Sequence, residues 1–469
     1  MRNQDLARLR RELRSVDSEL VTILAQRDRL VRKVGRLKKR LNLEVVDPAV
    51  EKVAIDNFIS SAAKAGIDKT YARRLVNLVI EGSVEAQTRG RRRVSGRDSM
   101  LKRLSEMMLK AERKGRKLIR FDIGEPRFRT PRVVVREAKR YLDRTPMMLY
   151  GSSAGLPALV DAIAEQLNCQ YGTKFGRSNV LIFPGGRFAI FASIFTTLSS
   201  LDRVALCRPA WPAYESCVAI AGGRTLAVPT RLEDHWDIDL TALEEKLRLG
   251  PKMIILNNPN NPTGKVLSKN MFGEIMELAR KYRAVVLSDE VYATYSSMPV
   301  PSVLEYPDTE SIYVNSFSKE FSMTGWRVAY AVAHEQRIAR MRKIVETSLT
   351  NVPEVIQRAA LAALKDSSAD ALTGRNMIRK RLNMACKELR RGDFEFHYPE
   401  GGFYIFPRML RRGIDSEKFS KYLFEKYAVG VLPGTIFGEY PDFLRLAITE
   451  PEAAVKTGIR RIVKAMDKW

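Results

Sequence analysis

The chain has 469 residues, 45% of them hydrophobic, with 80 lysines and arginines against 54 acidic residues and a formal net charge of +26. That length predicts two or three domains with sizeable cores, and the charge suits small anionic substrates drawn in by the protein's field, whereas no motif for nucleic acid accompanies it. Four cysteines without a Cys-x-x-Cys pair, three scattered histidines, no apolar run near the roughly 20 residues of a membrane span and a charged N-terminus speak against a disulfide framework, a metal centre and a membrane, and predict a cytoplasmic protein.

Residues 1–90 read as helical throughout. Leu6, Leu9, Leu13, Val16, Leu20, Ile23, Arg27, Leu30, Val34, Leu37 and Leu41 alternate spacings of three and four, which is a heptad seam. Such a helix would be roughly 50 Å long, more than a domain this small can cover, so packing against a second chain is expected. Arg27 stands where the seam should be apolar. A buried guanidinium is costly alone, so either a carboxylate of the protein or an anionic ligand has to meet it. Asp47-Pro48 caps and opens a second helix, which Gly66 stops. A third runs from about Asp68 to Gln87, with Tyr71, Leu75, Leu78, Val79 and Val84 on its apolar face.

Three helices, the first very long, resemble the all-helical chorismate mutases over Leu9 to Gln87. The resemblance implies a dimeric all-α domain over residues 1–88. Arg27, Lys38, Glu51 and Gln87 would be catalytic, and Arg10 (from the partner chain), Asp47 and Ser83 would bind substrate. The implied reaction, chorismate to prephenate, is a unimolecular rearrangement that needs no nucleophile or base. It gains from locking the folded conformer and from donors on the ether oxygen as charge builds there, the task implied for Lys38 and Gln87, while Glu51 meets a hydroxyl. Arginines suit the two carboxylates. Val50 departs from the family, which often has arginine there. A missing charge-assisted contact is worth about 1.5–3 kcal/mol, unless a neighbour such as Lys52 compensates.

Residues 89–97 read as a flexible basic linker, and 98–117 return to helix. Phe121-Asp122-Ile123-Gly124-Glu125-Pro126, Tyr150-Gly151 with Gly155-Leu156-Pro157, Phe183-Pro184-Gly185-Gly186-Arg187 and Arg208-Pro209-Ala210-Trp211 follow in order. Gly185-Gly186 ends a strand and opens a helix, whose first N–H groups suit a phosphate. Ile254 to Gly264 and Ala284 to Tyr292 are apolar runs ending in polar residues, as buried parallel strands do where they deliver side chains to a ligand. Asn315-Ser316-Phe317-Ser318-Lys319, with Arg327 eight positions on, sets a lysine among hydroxyls. A lysine can condense with an aldehyde cofactor, and the hydroxyls and guanidinium can hold its phosphate. Gly401-Gly402-Phe403-Tyr404, Val431-Leu432-Pro433-Gly434 and Phe443-Leu444-Arg445-Leu446 close the series.

From about residue 98 onward, the order Asn-Pro-Thr-Gly, Asp-Glu-Val-Tyr, Ser-x-Ser-Lys and Gly-x-Arg resembles the aspartate aminotransferase superfamily, fold-type I enzymes that use pyridoxal 5′-phosphate (PLP). The resemblance implies an α/β fold over 98–469, with a large mixed-sheet domain at about 147–350 and a small α+β domain from 98–146 and 351–469. Lys319 would hold the cofactor aldehyde and later shuttle the proton. Gly185, Gly186, Ser316, Ser318 and Arg327 would hold its phosphate, joined by Tyr150 of a neighbouring subunit. Trp211 would stack on its ring, Asn261 and Tyr292 would meet the ring hydroxyl, and Asp289 would keep the ring nitrogen protonated. Arg445 would clamp the substrate α-carboxylate, the Gly124 backbone would approach it, and Arg187 would read a distal carboxylate. Arg127 stands where the family commonly has aspartate, which adds a positive charge near the substrate.

The two resemblances together predict a bifunctional homodimer of aromatic amino-acid biosynthesis. Chorismate would become prephenate, and a keto acid, with prephenate a candidate, would be aminated by glutamate or aspartate, giving arogenate in that case. The rivals are an aspartate or aromatic amino-acid aminotransferase with a weak or regulatory mutase domain, a PLP lyase on the same fold, and a DNA-binding regulator with an aminotransferase-like body, whose head would be a winged helix with a β-hairpin.

Overall fold

A computed structural model describes residues 2–41, 48–88, 96–145 and 147–469. Two compact units, Met1–Arg93 and Val94–Trp469, divide within the expected linker. The first contains helices α1 (Arg2–Arg40), α2 (Pro48–Lys64) and α3 (Lys69–Thr88). Gly66, with φ +79°, lies just past α2, and the Asp68 carboxylate accepts the Tyr71 N–H at 2.9 Å at the start of α3. Asp47, the expected cap of α2, lies outside the described residues, as do 89–95 of the linker. No strand occurs among the described residues of this unit, so it is not a winged helix with a hairpin.

α3 touches both α1 and α2, but through a face rotated from the expected one. Ala72, Val76 and Ile80 are buried there, together with Ala62 of α2, while Tyr71 and Leu78 point outward. Both faces of α3 carry apolar residues, and the small Ala72 lets one of them approach closely. The seam of α1 stays open in the single chain. Leu6, Leu13, Leu20, Leu30 and Leu37 are all exposed, and Arg27 is half-buried.

The second unit is built on a seven-stranded mixed sheet. In chain order its strands are β1 (Val180–Phe183), β2 (Arg203–Arg208), β3 (Arg224–Pro229), β4 (Met253–Asn257), β5 (Val285–Asp289), β6 (Ser311–Ser316) and β7 (Ala329–Ala333). They lie in the order β1-β7-β6-β5-β4-β2-β3, with β7 antiparallel to both its neighbours and the remaining pairs parallel. The strands are apolar without alternation because both faces are covered. Ile254 and Leu256 join one core with Leu159, Phe272 and Ala359, while Met253 and Ile255 join the other with Ile190, Tyr214 and Met341. A third core gathers Ile378, Phe403, Leu423 and Ile459 around β8 (Leu444–Ala447), which pairs with Tyr404–Ile405 and Leu432–Pro433.

Two expectations need correction. Helices Arg132–Arg144 and Glu354–Asp366, expected in the small domain, pack on each other and place Val134, Ala138, Ala359 and Ala363 in the core of the large sheet. Each is amphipathic, and the nearest apolar surface is the sheet layer. The helix expected at 98–117 spans Gly96–Arg113, and Gly115 with φ +86° lies just beyond its end. No helix among the described residues is long and apolar enough to cross a membrane.

Phe272 is fully buried in the first of these cores. Phe272→Ala is expected to cost about 3–5 kcal/mol through lost burial and a residual cavity. The check is a lower urea midpoint at unchanged slope.

Candidate active site

The carboxyl ends of β4, β5 and β6 deliver Asn257, Asp289 and Ser316 to one cleft of about 580 Å³. Asp289 is 3% exposed and accepts the Tyr214 hydroxyl at 2.6 Å. Burial pushes its carboxyl up to about 6, against the pull of the Tyr214 hydrogen bond, the Val291 N–H and the Lys319 charge. The Asn257 side chain accepts the Asn261 N–H at 2.7 Å. Asn261 reaches the Tyr292 hydroxyl at 3.4 Å, and its Oδ1 is buried without a hydrogen-bond partner. The Tyr292 and Tyr404 hydroxyls are 2.9 Å apart.

Lys319 follows β6 in a single turn of helix, Phe317–Glu320. Its Nζ donates to the Gly124 carbonyl at 2.7 Å. Burial brings the ammonium down to about 8; Glu125 and Asp289 oppose this, while Arg445 and Arg327 add to it. Ser316 Oγ lies 2.9 Å from Ser318 Oγ. Arg327 donates to the Thr324 carbonyl at 2.8 Å and to the Pro184 carbonyl at 3.4 Å. The Pro184 contact brings the guanidinium beside Gly185, whose φ of +98° is a backbone conformation that favours glycine. Helix Gly186–Thr197 begins at this point. Two serines, a guanidinium and a helix start therefore share one corner of the cleft.

At another wall Arg187 lies over the Trp211 ring, 4.6 Å from its centroid, and Trp211 meets Tyr214 edge-on at 5.4 Å. Arg445 on β8 is 3% exposed. It donates to the Asp122 carbonyl and lies 4.8 Å from the Tyr404 ring centroid, and its Nε is buried without a hydrogen-bond partner. Asp122 itself holds the fully buried Arg120 through two contacts of 2.7 Å, and Glu112 adds a third at 2.6 Å. A Cβ on Gly124 would strike the Tyr404 hydroxyl.

The cleft thus collects Lys319, Asp289, Tyr292, Asn261, Trp211, Ser316, Ser318, Arg327, Gly186, Arg187, Gly124 and Arg445, with Gly185 at its edge. Tyr150 does not line it; that residue is 88% exposed. Arg127 is not in the lining either. Its guanidinium is 2.7 Å from Glu450, so the extra positive charge expected at the substrate is neutralised. Sequence reasoning missed Tyr214, whose only signal is its place three residues after Trp211, and the Tyr292–Tyr404 pair.

In the first unit, Arg27 donates to the Val79 carbonyl at 3.1 Å and to the Ser83 hydroxyl. Burial lowers its basicity. Among the described residues it meets these neutral acceptors and no carboxylate. Arg10 is exposed on α1, while Lys38 and Glu51 are half-buried. The side chain of Gln87 lies outside the described residues.

Residues 116–462 match the family Aminotransferase class I and II, and residues 9–88 match Chorismate mutase type II. The chain belongs to the class I and II aminotransferases. It is an enzyme, with a chorismate mutase domain fused ahead of the aminotransferase. It is 32% identical to the aspartate aminotransferase of Sulfolobus acidocaldarius over 81% of this chain and 97% of that protein. It is 34% identical to a probable aspartate/prephenate aminotransferase of Aquifex aeolicus over 76% and 92% of the two chains. The crystal structure of Thermotoga maritima aspartate aminotransferase superposes with a TM-score of 0.73 at 30% identity, covering 80% of this chain and all of that one.

Members of this aminotransferase family depend on PLP. The residues of the cleft fit that group. The corner built from Ser316, Ser318, Arg327 and the Gly186 helix start suits its phosphate, the unsatisfied Asn261 Oδ1 suits a hydroxyl donor, and Asp289 suits a protonated ring nitrogen.

Glu290, next to Asp289, is also buried, and both the Ser288 hydroxyl and the Val303 N–H donate to its Oε1. Burial raises its carboxyl from 4.5 to about 8. Between those values the folded chain holds a proton that the unfolded chain releases, so this residue makes stability fall as pH rises through the window. Glu290→Gln keeps the Oε1 acceptor and removes the titration. The variant is expected to gain on the parent by up to about 1.4 kcal/mol per pH unit between these values, read as a widening gap in melting temperature from pH 5 to 8.

Proposed function

We propose that this chain is a bifunctional enzyme of aromatic amino-acid biosynthesis, rearranging chorismate to prephenate in its first unit and transaminating prephenate to arogenate in its second, with glutamate or aspartate as donor. The observation that carries the reading is a mutase domain fused to an aminotransferase cleft that holds two arginines, Arg445 and Arg187, beside the half-buried Lys319. A keto acid made by the first unit is a substrate in kind for the second, and the resemblance to an aspartate/prephenate aminotransferase points the same way.

In the first unit Arg27, held by Val79 and Ser83, offers its remaining donors to a substrate carboxylate. Lys38 and Gln87 donate to the ether oxygen, Glu51 and Asp47 orient the hydroxylated ring, and Arg10 of a second copy closes the site. The work is conformational selection and electrostatic stabilisation.

In the second unit, PLP supplies the electron sink that makes the α-proton of an amino acid removable. Ser316, Ser318, Arg327 and the N–H groups at Gly185 and Gly186 bind its phosphate, together with the partner's Tyr150. Trp211 covers its ring, Asn261 and Tyr292 hold its hydroxyl, and Asp289, supported by Tyr214, holds a proton at the ring nitrogen. Arg445 binds the substrate α-carboxylate and Arg187 the distal one. Lys319, with its basicity lowered by burial, would take up the proton released at the substrate's α-carbon and hold it at Nζ.

The test is kcat/KM in the pyridoxamine form for prephenate, oxaloacetate and phenylpyruvate. Preference for prephenate supports the two-step route. Preference for oxaloacetate with negligible prephenate turnover overturns it and leaves an aspartate aminotransferase. Lys319→Ala is expected to abolish transamination and leave the mutase intact, while Arg27→Ala is expected to do the reverse; separate assays of the two reactions check both. Arg445→Ala is expected to lose about 2–3 kcal/mol in donor kcat/KM.

A further inference from the structure

Residues 121–130 pass from the small core to the cleft and out again, and they are tied down on two sides. Toward β8, the Ala447 N–H bonds the Phe121 carbonyl at 2.8 Å, Arg445 donates to the Asp122 carbonyl, and the Arg120 N–H meets Glu450 Oε1 at 3.2 Å. Toward the loop after Lys319, the Thr130 hydroxyl donates to the Ser322 carbonyl at 2.9 Å, and the Thr324 hydroxyl meets Glu125 at 3.3 Å. Between these ties stands Gly124, whose carbonyl takes the Lys319 ammonium.

Arg127 closes this arrangement. Its Nη1 is 2.7 Å from Glu450 Oε1, with 38% of the Arg127 side chain exposed and only 7% of Glu450. Glu450 lies just past β8, the strand that carries Arg445. Among the described residues Arg127 is its one direct ion-pair partner, with the Arg381 guanidinium a second, more distant cation in its field. A second bridge crosses the same seam, where Arg381 donates to the Thr449 carbonyl at 2.9 Å and lies 5.0 Å from the Phe128 ring centroid. A carboxylate this buried destabilises its surroundings when its cation is removed, and the surroundings here are the Gly124 segment and the end of β8.

We propose that Arg127 is a positioning residue: through Glu450 it fixes the Gly124 segment against β8 and so sets where Gly124 and Arg445 stand for the substrate carboxylate. This explains why the residue at position 127 can depart from the family's aspartate without presenting a cation to substrate, since its charge is spent on holding the wall of the site. The proposal rests on Arg445 as the carboxylate-binding residue.

The experiment measures donor KM and kcat, the Kd of succinate as a non-reacting dicarboxylate, and melting temperature, for Arg127→Met, Arg127→Lys, Glu450→Gln, the Arg127→Met/Glu450→Gln double variant and Arg445→Lys in the full-length holoenzyme. Arg127→Met is expected to raise donor KM and succinate Kd about tenfold, the scale of one charge-assisted contact, with kcat within about twofold. Arg127→Lys should restore most of the loss. The double variant should be no worse than Arg127→Met alone, because the two residues act as one pair. Unchanged KM and Kd in Arg127→Met overturn the proposal, as do losses that add independently in the double variant, or a fall in melting temperature without a change in KM. If Arg445→Lys also leaves succinate binding unchanged, the assignment of the carboxylate site fails; if only Arg445→Lys weakens it, the positioning role alone fails.

Discussion

Cations crowd this cleft, and the rest of the second unit is arranged to make that tolerable. Lys319, Arg187, Arg327 and Arg445 all line it. Arg120 lines it too, but Asp122 and Glu112 neutralise that guanidinium. Asp289 and Glu125 remain as the local counterweights to the lysine. Burial and like-charge neighbours lower the basicity of Lys319 together, and the same field makes the cleft a receptor for anions. Phosphates and carboxylates are then stabilising parts of the site.

Holding such a set in place requires rigid supports. The parallel strands β4, β5 and β6 end side by side, and their last residues cannot move without disturbing two packed cores. Arg445 comes from a different core and a different sheet. Its position relative to Lys319 therefore depends on the segment that joins them, residues 121–130, and on side-chain contacts rather than on the sheet ladder.

Much of this was legible in the residues themselves. Asp289 and Asn261 stand just past apolar runs, where a polar side chain has few explanations other than a ligand, and Lys319 is set among small hydroxyl residues with Arg327 eight positions on. Tyr214 and Tyr404 were not legible as site residues, because a tyrosine in an apolar stretch reads first as core. The partner of Arg127 lies far along the chain, and no local pattern links the two. The face of α3 was misjudged because Leu78 and Val76 are both apolar, and only packing against α1 and α2 selects between them. Burial keeps a proton on Glu290 against the donors Ser288 and Val303, and that burial comes from distant packing which the run Ser288-Asp289-Glu290 does not announce.

The open seam of α1 has a thermodynamic consequence. A helix that leaves Leu13, Leu30 and Leu37 in water gains little by forming alone, since most helix stability in proteins comes from covering an apolar face. In the proposed homodimer a second copy would cover the seam, and the order of α1 would become a function of protein concentration. The first unit of such a dimer would have no single stability of its own, because dilution would withdraw the cover from α1 by mass action.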